Sequence, residues 1–65
     1  MPYVNIKITD TDVTPEEKYK LIKGVTDLLK DVLDKDPEKT FVIIDEINLD
    51  NWGVAGEPVR KRVSQ

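Results

Sequence analysis

The chain has 65 residues, which is enough for one small domain, and we expect a single domain over residues 1–65. It has no cysteine and no histidine, which excludes disulfide bonds and removes the commonest metal ligand and the commonest general base. The net charge of −3 disfavours nucleic acid as a partner, because phosphate binding needs a concentrated basic face.

The short length also limits how the fold can be stabilised. A chain of this size buries only about 60% of the surface that it exposes when unfolded, and small domains usually rely on disulfides, metals or partner subunits. Because this chain lacks cysteine and histidine, self-association is the remaining support. No apolar run approaches the roughly 20 residues of a membrane span, and no signal-peptide pattern opens the chain. We therefore expect a cytoplasmic homo-oligomer that has no membrane partner.

The first nine residues predict a β-strand at the amino terminus. Val4, Ile6 and Ile8 alternate with mostly polar residues, which places the aliphatic side chains on one face. Pro2 follows Met1 directly, and removal of Met1 would convert the ring nitrogen of Pro2 from an amide into a secondary amine. Because α-amino groups titrate near about 8, modest desolvation would bring this amine close to neutral pH, where general acid–base catalysis is efficient.

Pro2 also has a simpler interpretation. A proline after methionine permits trimming and starts a strand at a position where no backbone donor is required. The composition favours the chemical interpretation, because a chain without histidine or cysteine can build few conventional nucleophile–base pairs. The remaining candidates are the carboxylates, the lysines, the tyrosines and the terminal amine.

The next segment predicts an amphipathic helix. Thr14 is a good N-cap, a proline occupies the first helical position, and Glu17 completes a capping box. Apolar residues then recur at helical spacing until the helix ends near Asp34, because Pro37 disfavours helical geometry in the residue before it. Gly24 costs about 1 kcal/mol relative to alanine inside a helix, so we expect close packing against a neighbouring backbone there.

Residues 40–44 predict a second strand that is buried on both faces, since they are β-branched or aromatic and show no alternation. A strand, a helix and a strand joined by short links form a βαβ unit with parallel strands and a right-handed crossover. The fold class is therefore α/β (α+β). Phe41, Ile43 and Ile47 would remain uncovered in one such unit, and we expect another subunit to pack against them.

The last third of the chain carries turn signals. Asp45 and Glu46 are expected to lie in a solvated turn or to form an intersubunit ion pair, because adjacent strand residues point to opposite faces and cannot act together. Gly53 and Gly56 predict a tight C-terminal hairpin. The basic cluster at residues 60–62 is interpreted as a solvated or interface-lining tail.

Four features of the chain together resemble one family. They are Pro2 at the start of a strand, the helix after a Thr-Pro-Glu-Glu cap, the hydrophobic second strand, and the Asn-Trp-Gly-Val-Ala-Gly-Glu segment at residues 51–57. Over essentially the whole chain these features resemble the 4-oxalocrotonate tautomerase family. The Val-Ile-Ile-Asp-Glu run before an aromatic-Gly-x-x-Gly-Glu segment is most similar to the small DmpI-type members.

The resemblance implies a fold, an activity and two site residues. The protomer would be a βαβ unit that assembles into a homohexamer, a trimer of dimers, and would act as a keto–enol tautomerase without cofactor or metal. Pro2 would be the catalytic residue that shuttles the proton. Trp52 matches the aromatic residue that keeps the surroundings of the proline apolar, and such surroundings lower the pKa of an amine. Trp52 can also be a core or interface aromatic, and the two roles are compatible.

The chain departs from the family at the substrate-binding positions. The founding tautomerase binds its dicarboxylate substrate with two arginines, but the corresponding positions here are the acidic segment 10–13 and Phe41. Phe41 is interpreted either as structural or as pocket lining. The cations that could take the place of the arginines are Lys39, predicted to share a strand face with Phe41, and Arg60 or Arg62 of the tail.

The predicted function is therefore an isomerase that acts on a small unsaturated 2-oxo or 2-hydroxy acid, with Pro2 as general base and acid. Two alternatives use the same fold. One is a non-catalytic oligomeric scaffold, which the missing arginines favour. The other is a hydratase or dehalogenase in which protonated Pro2 acts as an acid.

Overall fold

The computed structural model of the chain describes residues 1–63, and it contains the predicted elements in the predicted order. Strand β1 spans Tyr3–Thr9, helix α1 Pro15–Leu33, strand β2 Phe41–Ile47, strand β3 Gly53–Val54, strand β4 Glu57–Pro58 and helix α2 Arg60–Val63. Two single 3₁₀ turns, Pro37–Lys39 and Leu49–Asn51, precede β2 and β3. No helix within residues 1–63 has the length and apolar character that a membrane span needs.

Strands β1 and β2 form a two-stranded parallel sheet. Tyr3 pairs with Phe41 at one end, and Thr9 pairs with Ile47 at the other. Because α1 connects these parallel strands, the predicted βαβ unit is confirmed.

Local capping chemistry determines where α1 begins and ends. The backbone N–H of Glu17 donates to the Thr14 hydroxyl at 3.1 Å, and the Thr14 N–H donates to the Glu17 carboxylate at 2.9 Å. At the other end, Asp34 adopts a left-handed conformation with φ 55°, and its N–H reaches the carbonyl oxygens of Leu29 and Lys30. The predicted capping box and the predicted helix end are both confirmed.

The second strand is longer than residues 40–44, and the turn expected at Asp45 and Glu46 is wrong. Both residues belong to β2, because β2 continues to pair with β1 as far as Ile47. Their side chains lie on opposite faces, and each forms an ion pair within its own chain. Asp45 contacts the Lys7 ammonium at 3.0 Å on the open face, while Glu46 pairs with Lys18 of α1.

The predicted C-terminal hairpin is confirmed. Gly53 pairs with Pro58, and Val54 pairs with Glu57. The two residues of the turn between them, Ala55 and Gly56, both have positive φ, 51° and 82°. This is the geometry of the two-residue turn whose twist matches the flanking strands, and glycine adopts it at no steric cost.

The two faces of the β1–β2 sheet differ in what covers them. Helix α1 covers the face formed by Val4, Ile6, Val42 and Ile44, whose side chains are half-buried. Nothing within residues 1–63 covers the other face, where Phe41 is 50% and Ile43 48% exposed. Among residues 1–62 no side chain is fully buried. A single protomer therefore lacks a closed core.

Candidate functional site

Pro2 is held at the point where the sheet begins. Its carbonyl oxygen accepts a hydrogen bond of 3.0 Å from the backbone nitrogen of Phe41, the first residue of β2. Pro2 is half-buried, whereas Met1 before it is 85% exposed. The strand pairing therefore fixes the proline backbone and leaves the preceding residue projecting into solvent.

Two aromatic rings lie beside Pro2. Tyr3 and Phe41 are directly opposite each other in the parallel register, so their side chains share the open face of the sheet. Tyr3 is 63% exposed in the protomer. The start of the sheet thus offers an aromatic surface beside the proline.

Lys39 does not share a strand face with Phe41, and that expectation is wrong. It ends the 3₁₀ turn Pro37–Lys39, and β2 begins only two residues later. The Asp36 carboxylate accepts from the backbone N–H of Glu38 and caps this turn, which keeps Lys39 out of the strand. Lys39 remains close in sequence to Phe41, at the end of the sheet that holds Pro2.

Trp52 follows β2 in the chain, after the end of the strand that is farther from Pro2. The seven-residue strand β2 separates the two positions, and at about 3.3 Å per residue it is roughly 20 Å long. Trp52 is half-buried, and its carbonyl oxygen accepts from the N–H of Val59 at 2.7 Å, which closes the base of the hairpin. The described residues of one protomer enclose no pocket. The described residues of one protomer therefore form no pocket that contains both the predicted catalytic proline and Trp52.

The two candidate arginines are in the short helix α2, next to the hairpin. Arg60 contacts its own chain: its Nε is 2.5 Å from the Asp50 carboxylate, and its terminal nitrogen donates to the Asn48 side chain at 3.1 Å. Arg62 is exposed, and its backbone N–H donates to the carbonyl oxygen of Val59. Both arginines are thus at the Trp52 end, and Arg60 is already paired with a carboxylate.

A polar cluster that could not be predicted from the sequence lies on the open face. Asp45 accepts a hydrogen bond of 2.9 Å from the Asn5 amide and lies 3.0 Å from the Lys7 ammonium. The Asn5 hydrogen bond, followed by that of Lys7, lowers the pKa of the Asp45 carboxyl below its ordinary value. Alternation alone places Asn5 and Lys7 on one face of β1. Only the register of β1 against β2 identifies Asp45 as their common partner.

The described groups offer acid–base chemistry. No cluster of three or more carboxylates within residues 1–63 is arranged to hold a metal ion, and the chain has no histidine or cysteine. What this end of the sheet offers is a fixed proline, an aromatic surface and a lysine nearby. Such a set can bind an apolar acid and, once the proline nitrogen is free, exchange a proton with it.

Sequence comparisons identify the family. Residues 2–62 match the profile of the tautomerase enzyme family. A probable tautomerase, K2, from Dickeya dadantii is 57% identical over 65 residues, which cover 100% of this chain and 97% of that protein. The 2-hydroxymuconate tautomerase of Bacillus subtilis is 37% identical over 57 residues, covering 88% of this chain and 90% of the relative.

A comparison of structures agrees. The crystal structure of DmpI from Helicobacter pylori superposes with a TM-score of 0.89 at 39% identity, covering 98% of each chain. The predicted resemblance to the 4-oxalocrotonate tautomerases is confirmed, and relatives that carry the tautomerase name are isomerases. The chain therefore belongs to the tautomerase family, as a small member of the α+β fold that DmpI represents, and it is an isomerase.

Proposed function

We propose that this protein is a cofactor-independent keto–enol tautomerase that acts on a small unsaturated 2-oxo or 2-hydroxy acid. Pro2, freed by removal of Met1, serves as general base and then as general acid. The observation that carries the proposal is the 3.0 Å hydrogen bond from Phe41 to the Pro2 carbonyl oxygen, because it holds the ring at a fixed position at the end of the sheet. A positioned proton-transfer group typically contributes about 10²- to 10⁴-fold to a rate.

The reaction moves one proton and needs no other reagent. The neutral amine of Pro2 takes the proton from the enol hydroxyl of a 2-hydroxydienoate, and the electron pair released forms the carbonyl group. In a 2-hydroxydienoate the double bonds shift along the chain and a distant carbon takes the proton back from the prolinium ion. In phenylenolpyruvate the carbon next to the new carbonyl group takes it back. Substrate and product have the same atoms and charge, and the amine ends neutral. Backbone N–H groups or a nearby cation stabilise the negative charge on the oxygen during the transfer.

We further propose that the complete pocket forms between copies of the chain. The length of β2, roughly 20 Å, which separates Pro2 from the start of the Trp52 segment along the sheet, supports this, because a second copy can bring its hairpin to the first copy's proline. The absence of a buried side chain among residues 1–62 also supports self-association. A homohexamer built as a trimer of dimers is the assembly that we propose. The indole of Trp52 would then exclude water from the amine and lower its pKa.

The substrate is expected to carry one carboxylate. The Bacillus subtilis relative is named for 2-hydroxymuconate, which has two carboxylates. In this chain Phe41 occupies the position beside Pro2 where a cation would bind the second carboxylate, and Arg60 is paired with Asp50. An apolar group at that end of the substrate would contact the Phe41 ring instead. Phenylenolpyruvate, a monoacid with an aromatic end, has this form.

The decisive experiment compares two forms of the same sequence. Protein that keeps Met1 and protein that has lost it are separated by mass, and both are assayed with phenylenolpyruvate and 2-hydroxymuconate. We expect activity only in the trimmed form, and a Pro2→Ala variant of the trimmed form should be about 10²-fold slower or more. Equal rates for both forms, or for the variant and the wild type, would overturn catalysis by Pro2 and favour the scaffold.

A pH–rate profile separates isomerisation from the variant chemistries. For a proline base, kcat/KM falls as pH drops below the pKa of the amine. A hydratase or dehalogenase that needs prolinium would show the opposite pH dependence, with kcat/KM rising as the pH falls. The profile is measured on the trimmed enzyme with phenylenolpyruvate, whose conversion is followed directly.

A further inference from the structure

Arg60 joins two segments that lie on either side of the C-terminal hairpin. Its Nε is 2.5 Å from the Asp50 carboxylate, and its terminal nitrogen donates to the side-chain oxygen of Asn48 at 3.1 Å. Asp50 and Asn48 precede β3 in the chain, whereas Arg60 begins α2, after β4. We refer to these three residues as the Arg60 cluster. The cluster therefore connects the two ends of the hairpin through side chains.

The side chain of Asn48 organises the segment that leads into Trp52. Its oxygen accepts a hydrogen bond of 2.8 Å from the backbone N–H of Asp50, and the Asn48 carbonyl oxygen accepts from the N–H of Asn51 at 2.8 Å. These bonds form the single 3₁₀ turn that ends directly before Trp52. Because the same side-chain oxygen also accepts from Arg60, one acceptor links this turn to α2.

Trp52 lies within the loop that the Arg60 cluster closes. Its carbonyl oxygen accepts from the N–H of Val59 at 2.7 Å, and the next residue, Gly53, pairs with Pro58. Strands β3 and β4 form a sheet of their own, separate from the β1–β2 sheet. The angle between the hairpin and the β1–β2 sheet is therefore not set by strand pairing. The Arg60 cluster spans this angle, because Asn48 directly follows β2.

We infer that Arg60 is a positioning residue that holds the hairpin, and with it the Trp52 indole, in one orientation beside the proline amine of the assembled pocket. This inference rests on the proposed role of Trp52. It differs from the role predicted from the sequence, in which Arg60 binds the carboxylate of the substrate. Since the Asp50 carboxylate offsets the charge of Arg60, the guanidinium attracts an incoming acid less strongly.

The exposure of the ion pair separates positioning from overall stability. The side chains of Arg60 and Asp50 are 50% and 63% exposed. Exposed ion pairs contribute little to the free energy of unfolding, so losing this one should leave the thermal midpoint nearly unchanged. A small energy can still change the balance between two orientations of a hairpin by a few-fold.

Two substitutions test the cluster from its two sides. Arg60→Met removes the charge and the donors but keeps an unbranched apolar side chain, and Asp50→Ala removes the acceptor. Alanine retains the backbone N–H that Asn48 caps, so the 3₁₀ turn should persist. In the trimmed enzyme, each variant should lower kcat/KM for phenylenolpyruvate by about two- to fivefold. The double variant should lose no more than either single variant, because both remove the same contact. Lys61→Gln, exposed on the same short helix, is the matched control.

The fluorescence of Trp52 reports the surroundings of the indole directly, since the chain has one tryptophan. In both variants we expect the emission to shift to longer wavelength. The pH below which kcat/KM falls should also rise, because the displaced indole excludes less water from the amine. Asp50→Ala distinguishes the two roles of Arg60. An arginine that bound substrate would be released by this change and KM would fall, whereas a positioning arginine predicts the same loss as Arg60→Met.

Several outcomes would overturn the inference. They are a lower KM in Asp50→Ala, a wild-type emission spectrum in both variants, an unchanged pH dependence, or a Lys61→Gln enzyme that changes as much as Arg60→Met. Each of these leaves the proposed function standing, because the Pro2→Ala assay tests that separately. A Pro2→Ala enzyme as fast as the wild type would overturn the proposed function instead, and the emission spectra would still show whether Arg60 holds the indole.

Discussion

The backbone nitrogen of Phe41 donates a hydrogen bond of 3.0 Å to the carbonyl oxygen of Pro2. This contact joins Pro2, the proposed proton-transfer residue, with Phe41, the residue proposed to contact the far end of the substrate. Both residues are placed by the same parallel register, because Tyr3 pairs with Phe41 at the first rung of the sheet. A change in the Phe41 side chain should therefore alter specificity without moving the proline, since the hydrogen bond uses only backbone atoms.

Phe41→Arg is expected to shift the preference of the enzyme toward dicarboxylates. A hydrogen bond to a charged group contributes about 1.5–3 kcal/mol, so the ratio of kcat/KM for 2-hydroxymuconate to that for phenylenolpyruvate should rise roughly 10- to 100-fold. Phe41→Gln, which is of similar length but uncharged, is the control and should change the ratio much less. An unchanged ratio in the arginine variant would show that this position does not contact the far end of the substrate.

Trp52→Ala is expected to lower kcat/KM by about tenfold or more, because an exposed amine loses the apolar environment that lowers its pKa. The pH below which kcat/KM falls should rise at the same time, because the pKa of the amine rises. A loss of activity with an unmoved profile would show that the indole acts on assembly or substrate binding and not on the amine.

Mixing two impaired variants tests whether the pocket is shared between subunits. Trp52→Ala and Pro2→Ala chains, unfolded together and refolded, should regain part of the wild-type activity, because some mixed sites receive the intact proline from one chain and the intact indole from the other. The same variants refolded separately and then combined are the control. Activity that stays at the level of the separate variants would contradict a pocket built from two chains.

The stability of α1 should depend on its capping box. Thr14→Ala removes the hydroxyl that accepts from Glu17 and should destabilise the fold by about 1 kcal/mol per protomer, which lowers the thermal midpoint by roughly 4–8 °C. Thr14→Ser keeps the acceptor and should retain most of the midpoint, while Thr11→Ala in the preceding loop is the matched control. Protein concentration is kept constant, since assembly also raises the midpoint. Equal midpoints for Thr14→Ala and Thr11→Ala would contradict a stabilising cap.

The structural elements that could be predicted from the sequence are those whose start or turn is determined by residues close together in the chain. Thr14 and Glu17 are only three residues apart, so the start of α1 can be identified from composition and spacing alone. The hairpin follows in the same way from Gly56 at a position that needs positive φ.

The features that sequence reasoning missed depend on distant residues. Asp45 is 40 positions from Asn5, and only the strand register brings the two side chains into contact. The two-residue spacing from Phe41 predicts that Lys39 shares a strand face with it, but the cap from Asp36 keeps Lys39 in a turn.

The Asp45 cluster predicts a dependence of stability on acid pH. The Asn5 amide and then the Lys7 ammonium lower the pKa of Asp45 in the folded state. The carboxylate therefore contributes stability above the unfolded pKa of about 4, and this contribution is lost as the pH falls through the lower folded pKa. Above about pH 5, wild type should melt at a higher temperature than Asp45→Asn, and the difference should shrink as the pH falls below about 4 toward the folded pKa.

Asn5→Ala tests the main cause of the shift directly. Removing the amide leaves only the Lys7 ammonium, so the pKa of Asp45 should rise toward its ordinary value in a carboxyl-detected NMR titration. Asn51→Ala, on the turn before the hairpin, is the matched control, because that side chain is exposed and distant from the open face. If Asp45 titrates identically in Asn5→Ala and Asn51→Ala, the amide does not stabilise the carboxylate. The stability attributed to the cluster would then have to come from Lys7 alone.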